Sequence, residues 1–327
     1  MIIKKMKKQT EKNSPQKNSP PKSPMHKNSP HKILTHNGRF HADDCFSIAA
    51  FQIYFEKIGE PIEIIRSRDE LLIKSADIVV DTGGIYDPET NRFDHHQEGG
   101  AGNRENGVPY SAFGLVWKNY GEKICDSKEV ADLIDAEMIQ SVDSVDNGYE
   151  AFESLKGVRN FTFDDFLKLL NPIRTEKADD DDESMDFFMD AVSVARKFLE
   201  RIIKKTKLTI QDTHEVEKIY NETTDKRIIV LDKPLSWPNF LCKKPEPLYV
   251  VHPKYGSDYA VRAVPVVPNS LTMRKPFPEN WRGKRGQEMA KASGVKTANF
   301  CHLRGFLCNV TDRAGAIELA KKAVEEQ

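Results

Sequence analysis

Between Ile33 and Asp81 the sequence switches repeatedly between short apolar runs and a helical pattern, and this limits the chain to very few architectures. Ile33-Leu34-Thr35 is a short strand candidate. Residues 42–58 place apolar side chains at helical spacing and stop at Gly59, a residue suited to ending a helix. Residues 62–66 read as a strand, 69–74 as one or two helical turns, and 77–81 as a buried strand running into Thr82-Gly83-Gly84. Strands separated by helical crossovers pair in parallel, so the expected fold class is α/β with an N-terminal parallel sheet. In an open parallel sheet, ligands bind beyond the carboxyl ends of the strands.

The polar residues fall at those ends. His36, His41, Asp43 and Asp44 follow the first strand, Asp81 closes the third, Asp94-His95-His96 sits in a polar turn, and Asp143 and Asp146 end a helical segment before Asn147-Gly148. Imidazole mixed with carboxylate, without thiolate, suits Mn²⁺, Mg²⁺, Co²⁺, Fe²⁺ or Zn²⁺. The candidates outnumber the needs of one ion, which points to two ions sharing a bridging carboxylate, about 3.5–4 Å apart. Asp81 is the natural bridge, because a short carboxylate at a strand end is rigidly placed. Taken singly, each group has a bland explanation: Asp43 or Asp44 caps a helix, a His-His pair is solvated, and Asp143 and Asp146 close a helix. Four groups in order at strand ends favour a site.

Composition supports a globular body with a basic extension. Hydrophobic residues make up 39% and charged residues 30% of the 327, enough for two domains. The net charge of -1 conceals nine lysines and one glutamate in residues 1–32, which leaves an acidic remainder. That tail repeats Asn-Ser-Pro at 13–15, 18–20 and 28–30 and is expected to be disordered. No apolar run reaches the ~20 residues needed to cross a bilayer, and the tail has no apolar core of the secretory kind. Five scattered cysteines without a CxxC pair suit reduced thiols in an intracellular protein; the basic tail suits the nucleus or cytoplasm, and its lack of arginine leaves the mitochondrion as the weaker alternative. No membrane association is expected.

Further along, 111–120, 128–142 and 185–205 read as helices, the last preceded by the acidic run Asp179–Glu183. Strands are expected at 227–231, 248–252 and 259–267, and helices at 286–292 and 312–325. The expected division is a tail over 1–32, a metal-binding catalytic domain over 33–206, and a smaller mixed α/β domain over 207–327.

Asp94-His95-His96, with the upstream His/Asp group, Val-Val-Asp81 and Asp143-x-x-Asp146, resembles the DHH phosphoesterase superfamily. The segments Thr-His36-Asn-Gly-Arg-Phe-His41-Ala-Asp43-Asp44, Asp81-Thr-Gly-Gly-Ile-Tyr-Asp-Pro, Phe93-Asp94-His95-His96-Gln and Val142-Asp143-Ser-Val-Asp146-Asn-Gly resemble more closely the exonuclease family named after the melanocyte-proliferating gene. Trp281-Arg-Gly and His302-x-x-Gly305-Phe306 extend the resemblance over about 33–325. It implies a DHH domain, a C-terminal substrate-binding domain and 3′–5′ exonuclease activity on RNA linked to nuclear and mitochondrial transcripts. Two features depart from the pattern. His41-x-Asp43-Asp44 is shifted and carries an extra histidine, and Cys308-Asn309 stands where the family usually has Gly-Gly.

On this reading two divalent ions, Mn²⁺ first and Mg²⁺ or Co²⁺ as alternatives, take ligands from His36, His41, Asp43, Asp44, Asp81, Asp94, His95, Asp143 and Asp146. One ion draws on His36, His41 or Asp43, and Asp81. The other draws on Asp43 or Asp44, Asp81, His95 and Asp146. His96 faces the substrate phosphate as donor or acid, and Asp94 ligates or orients its neighbours. Residues 271–313 independently suggest a single-stranded RNA or short oligonucleotide partner, because cations track phosphates and aromatic faces stack on unpaired bases. Trp281, Arg282, His302, Arg304, Gly305 and Phe306 are the candidates there, and Arg262, on an expected strand, is a further candidate to hold a phosphate. An ordinary surface over core aromatics is the plain alternative. Hydrolysis of a small phosphoanhydride or cyclic dinucleotide, and a non-catalytic metal-binding scaffold, are rival functions.

Overall fold

A computed structural model describes residues 29–149, 157–173, 181–254, 256 and 258–326, without the side chains of 181–183. The first sheet contains β1 (His31–Thr35), β2 (Ile62–Arg66), β3 (Ile78–Val80), β4 (Tyr86–Asp87) and β5 (Arg92–Phe93), in the order β2-β1-β3-β5-β4. Every neighbouring pair is parallel except the β4–β5 edge. Ile33, Leu34, Ile78, Val79 and Val80 are buried, as expected for strands covered on both faces.

α1 (Ala42–Ile58) crosses from β1 to β2 and packs against α3 (Ala112–Cys125) and α7 (Asp181–Glu222). Phe46 stacks on Phe113 at 5.2 Å and meets Phe163 edge-on, fixing α1 between its neighbours. α2 (Glu70–Ser75) is capped by Asp69, whose side chain accepts from Leu71 N and Leu72 N. The expected helix over 128–142 is broken. α4 (Lys128–Ile134) passes through a π turn, Asp135–Ile139, into α5 (Gln140–Asp146). The wider turn shifts the register of α5 relative to α4 and re-aims its polar face. α6 (Phe163–Lys168) starts at Thr162, whose side chain accepts from Asp165 N.

The second sheet contains β6 (Ile228–Val230), β7 (Tyr249–Pro253), β8 (Tyr259–Ala263), β9 (Ala298–Cys301) and β10 (Leu307–Val310), in the order β6-β7-β8-β10-β9. β6 and β7 run parallel and the remaining pairs antiparallel. α8 (Pro238–Leu241), α9 (Gly286–Ser293) and α10 (Arg313–Glu325) complete this mixed α/β unit. The structure is therefore mixed α/β with two five-stranded sheets.

Three expectations are corrected. The strand expected from Ile33 begins at His31, where His31 Nε2 lies 2.5 Å from Glu60 Oε2 and Lys32 N donates to Asp77 Oδ2. Polar partners hold these two residues, so an apolar pattern does not reveal them. The remainder of the expected tail, 1–28, and most of the acidic run at 179–183 lie outside the described residues. The boundary expected at 206/207 falls inside α7, which runs unbroken through it. Finally, Trp281 is not a surface platform: its side chain is fully buried and stacks on Phe277 at 6.2 Å in the second core. Among the described residues, no helix is long and apolar enough to cross a membrane.

If Trp281 is core, Trp281→Ala should cost about 3–5 kcal/mol of stability. Thermal melting checks this; an unchanged melting temperature would return the indole to the surface.

Candidate metal centre

The site forms where the sheet's strand ends meet the N-terminus of α1 and the C-terminus of α5. Asp81 leaves β3 in the left-handed region (φ 51°), a conformation unfavourable for a residue with a Cβ, and Gly83 and Gly84 continue the turn at φ 93° and 67°. Asp81 N donates to Phe93 O, so the strand pairing fixes the strained position.

This orientation places the two carboxylate oxygens of Asp81 between two histidines. Oδ2 lies 3.2 Å from His36 Nε2, and Oδ1 lies 3.4 Å from His95 Nε2. Each imidazole has its other nitrogen tied to a carbonyl oxygen: His36 Nδ1 to Asn37 O at 3.0 Å and His95 Nδ1 to Asn147 Oδ1 at 3.3 Å. That arrangement places the proton on Nδ1 and presents Nε2 as a ligand. Asp44 Oδ2 is 3.2 Å from His36 Nε2, and Asp146 Oδ2 is 3.2 Å from His95 Nε2.

Three overlapping triads bring ligand atoms within 4.8 Å of one another: His36, His41 and Asp81; Asp81, His95 and His96; His41, Asp43 and Asp146. Asp43 is fully buried, and neither of its carboxylate oxygens has a hydrogen-bond partner. Asp44 Oδ2, Asp81 Oδ1 and His95 Nε2 are likewise buried without partners. Leaving so many acceptors desolvated and unpaired is very costly unless a cation lies among them. The donor set therefore fits divalent metal.

Two sequence candidates have other duties. Asp143 lies away from the triads: Arg104 Nη1 sits 2.7 Å from its Oδ2, while Ser111 Oγ (2.7 Å) and Gly114 N (3.0 Å) donate to its Oδ1. A Cβ on Gly114 would lie 1.9 Å from Asp143 Oδ2, so glycine is required for this approach. Asp143 anchors α5 to α3 and so positions Asp146, one turn later. Asp94 is also committed. Its Oδ1 accepts from His95 N, His96 N and, at 2.8 Å, faces His96 Nδ1, while its Oδ2 accepts from Gly84 N. It holds the histidine pair against the Asp81 turn.

Sequence reasoning missed the residues that hold the loop 37–41. Asn171 accepts from Phe40 N and donates to Phe40 O, both at 3.0 Å, and Arg66 Nη2 donates to Gly38 O at 2.6 Å. Only Asn147 carried a signal, as the residue after Asp146.

The C-terminal candidates form a separate group. His302 and Phe306 have ring centroids 4.2 Å apart, and Arg304 N donates to His302 Nδ1. Gly305 has φ 65°, and a Cβ there would lie 2.8 Å from Arg282 Nε. Arg282 is tied to Phe277 O at 2.8 Å. Arg262 and Arg304 are exposed. Cys308 is buried opposite Cys301, and Asn309 Oδ1 accepts from Lys254 Nζ. No hydrogen bond or ion pair among the described residues joins this group to the metal centre.

The family model labelled MYG1 exonuclease and described as an uncharacterised protein family (UPF0160) matches residues 32–324. The chain belongs to this family. A MYG1 protein of Chlamydia pneumoniae is 32% identical over 290 residues, covering 85% of this chain and 91% of that one. A MYG1 protein of Dictyostelium discoideum is 29% identical, covering 90% of this chain and 96% of the other. A mouse protein named MYG1 exonuclease is 28% identical, covering 90% of this chain and 84% of the other. The RecJ structure from Thermus thermophilus, in complex with Mg²⁺, aligns at 12% identity over 90% of this chain and 50% of that one, with a TM-score of 0.25. A score that low carries no argument.

The electrostatics of this family member make metal and proton compete. Burial opposes charge on His36, but the neighbouring carboxylates of Asp44 and Asp81 prevail and raise its pKa to about 10. Burial likewise opposes charge on His95, and Asp146 and Asp81 raise it to about 10. Burial, then the charges of Asp81, Asp146 and Asp44, push Asp43 well above the usual carboxylate range. Burial also disfavours the Asp81 anion, yet His36 and His95 hold its pKa below the ordinary value. Both histidine pKa values rise on folding, so their stabilising effect is complete below pH 6.5 and lost as pH climbs through about 10. At neutral pH, binding a metal must expel protons from these groups. Titrating metal-free protein with Mn²⁺ at pH 7, in buffers of different ionisation enthalpy, should show about two protons released. Metal affinity should also rise with pH. Binding without proton release would contradict this arrangement.

Proposed function

We propose that this protein is a divalent-metal-dependent exonuclease that hydrolyses phosphodiester bonds, acting 3′ to 5′ on single-stranded RNA. The observation that carries the reading is Asp81, whose two oxygens are divided between His36 and His95 amid buried, unpartnered carboxylates. The exonuclease naming of the mouse relative agrees with it.

His36, His41, Asp44 and Asp81 would hold one ion, and Asp81, Asp43, His95 and Asp146 the other. Such ions polarise a phosphoryl oxygen and lower the pKa of water, which is the chemistry phosphodiester hydrolysis requires. Residues of the chain do the positioning. His96 is 63% exposed at its side chain and lines the adjoining cavity, with Nδ1 held by Asp94. Its Nε2 is therefore the nitrogen that faces the substrate, and it can give a proton toward a leaving oxygen when the ring carries both protons. Asp94 keeps that ring in place and fixes the tautomer. The aspartates draw the ring nitrogens of His36 and His95 inward, away from the substrate's oxygens. In the second unit, Arg262 and Arg304 supply exposed cations, and the half-buried His302 and Phe306 supply ring edges suited to an unpaired strand.

Purified protein incubated with Mn²⁺ and 5′-labelled single-stranded RNA should shorten it progressively from the 3′ end, while Asp81→Asn should lose at least a thousandfold in rate yet melt normally. Near-normal turnover in Asp81→Asn would remove this carboxylate from the reaction. Activity confined to a cyclic dinucleotide or phosphoanhydride would instead establish the small-molecule alternative.

A further inference from the structure

We infer that Arg39 and Arg68 form a clamp for a second phosphate of the substrate, beside the one undergoing hydrolysis. The inference rests on the proposed function and specifies what that site accepts. A cavity of about 600 Å³ adjoins the metal centre, and Arg39 and Arg68 line it together with His36, Asp81, Asp94 and His96.

The charge balance shows why cations are needed there. Asp43, Asp44, Asp81, Asp94 and Asp146 bring five formal negative charges to the centre. Two divalent ions leave it with one in excess, which repels a phosphodiester. The two guanidiniums reverse that sign at the mouth through which substrate enters.

The local structure sets these arginines apart from their neighbour. Arg66 is used up structurally: its guanidinium bonds Gly38 O and Ser184 and lies 4.5 Å from the centre of the Phe188 ring. Arg39 and Arg68 are exposed and make no ion pair or hydrogen bond with any described side chain. Their backbones are nevertheless fixed. Ser67 N donates to Thr35 O, extending the β1–β2 ladder, and Asp69 caps α2, so Arg68 is held between two anchored residues. Arg39 follows Gly38, whose carbonyl Arg66 grips, and precedes Phe40, which Asn171 clamps on both sides. Gly38 and Gly84 have nothing within 4 Å of an added Cβ, which leaves open space for a ligand beside the arginines. Unpaired guanidiniums on anchored backbone, facing a cavity, match the oxygens of a phosphate.

The test is equilibrium binding of a fluorescein-labelled RNA trinucleotide, with and without a terminal phosphate, across a salt series in Ca²⁺. Wild type, Arg39→Gln, Arg68→Gln and the double variant are compared. Each lost phosphate contact should flatten the log–log salt dependence by about 0.7 on a single strand. Both arginines hold the same phosphate, so the double variant should lose about 0.7 in slope and bind about tenfold more weakly at low salt. A loss shared by both trinucleotides assigns the clamp to an internal phosphate, and a loss confined to the phosphorylated one assigns it to a terminal phosphate. Slopes and affinities matching wild type, or no binding by wild type, would overturn the clamp. Hydrolysis of bis(p-nitrophenyl) phosphate by wild type with Mn²⁺ is measured alongside. If nothing is hydrolysed while binding depends on the arginines, the reading as a hydrolase fails and the clamp stands.

Discussion

The structure is organised around buried carboxylates, several of whose oxygens accept no hydrogen bond. Asp43, Asp44 and Asp81 are almost completely removed from water. Desolvating one unpaired carboxylate is costly; gathering several within a few ångströms adds mutual repulsion. Histidine protons reduce that cost in the metal-free protein, and divalent ions would remove more of it. The strained backbone of Asp81 has the same origin, because a left-handed turn is what divides its oxygens between the two histidines.

Such a centre demands rigid supports, and each comes from a different element. Asp94 ties the histidine pair to the glycine turn. Asn171 and Arg66 secure the loop after β1. Arg104 and Ser111 bind Asp143, and Gly114 permits the contact, so that α5 carries Asp146 to His95. The π turn before α5 belongs to this scheme, because it re-registers the helix between the buried anchor and the site.

Much of this was legible in the chain. The alternation from Ile33 to Asp81 announces parallel strands, and polar residues at strand ends announce a site. The duty of each aspartate was not legible. Asp143 and Asp146 are three residues apart on one helix, and a sequence does not show that Arg104 captures the first and His95 faces the second. Trp281 lies among arginines and lysines, yet its ring turns inward to Phe277. β4, β5, β9 and β10 have two to four residues each, too few for an alternating pattern. Arg39 and Arg68 carry no pattern of their own in the chain, and only the fold brings them to one cavity.

The central claim is that Asp81 joins two metal positions. Electron paramagnetic resonance during titration of metal-free protein with Mn²⁺ tests it most directly. The account predicts two ions per chain and, at two equivalents, the exchange-coupled spectrum of a pair about 3.5–4 Å apart. One ion per chain, or two ions giving independent six-line signals, would contradict it.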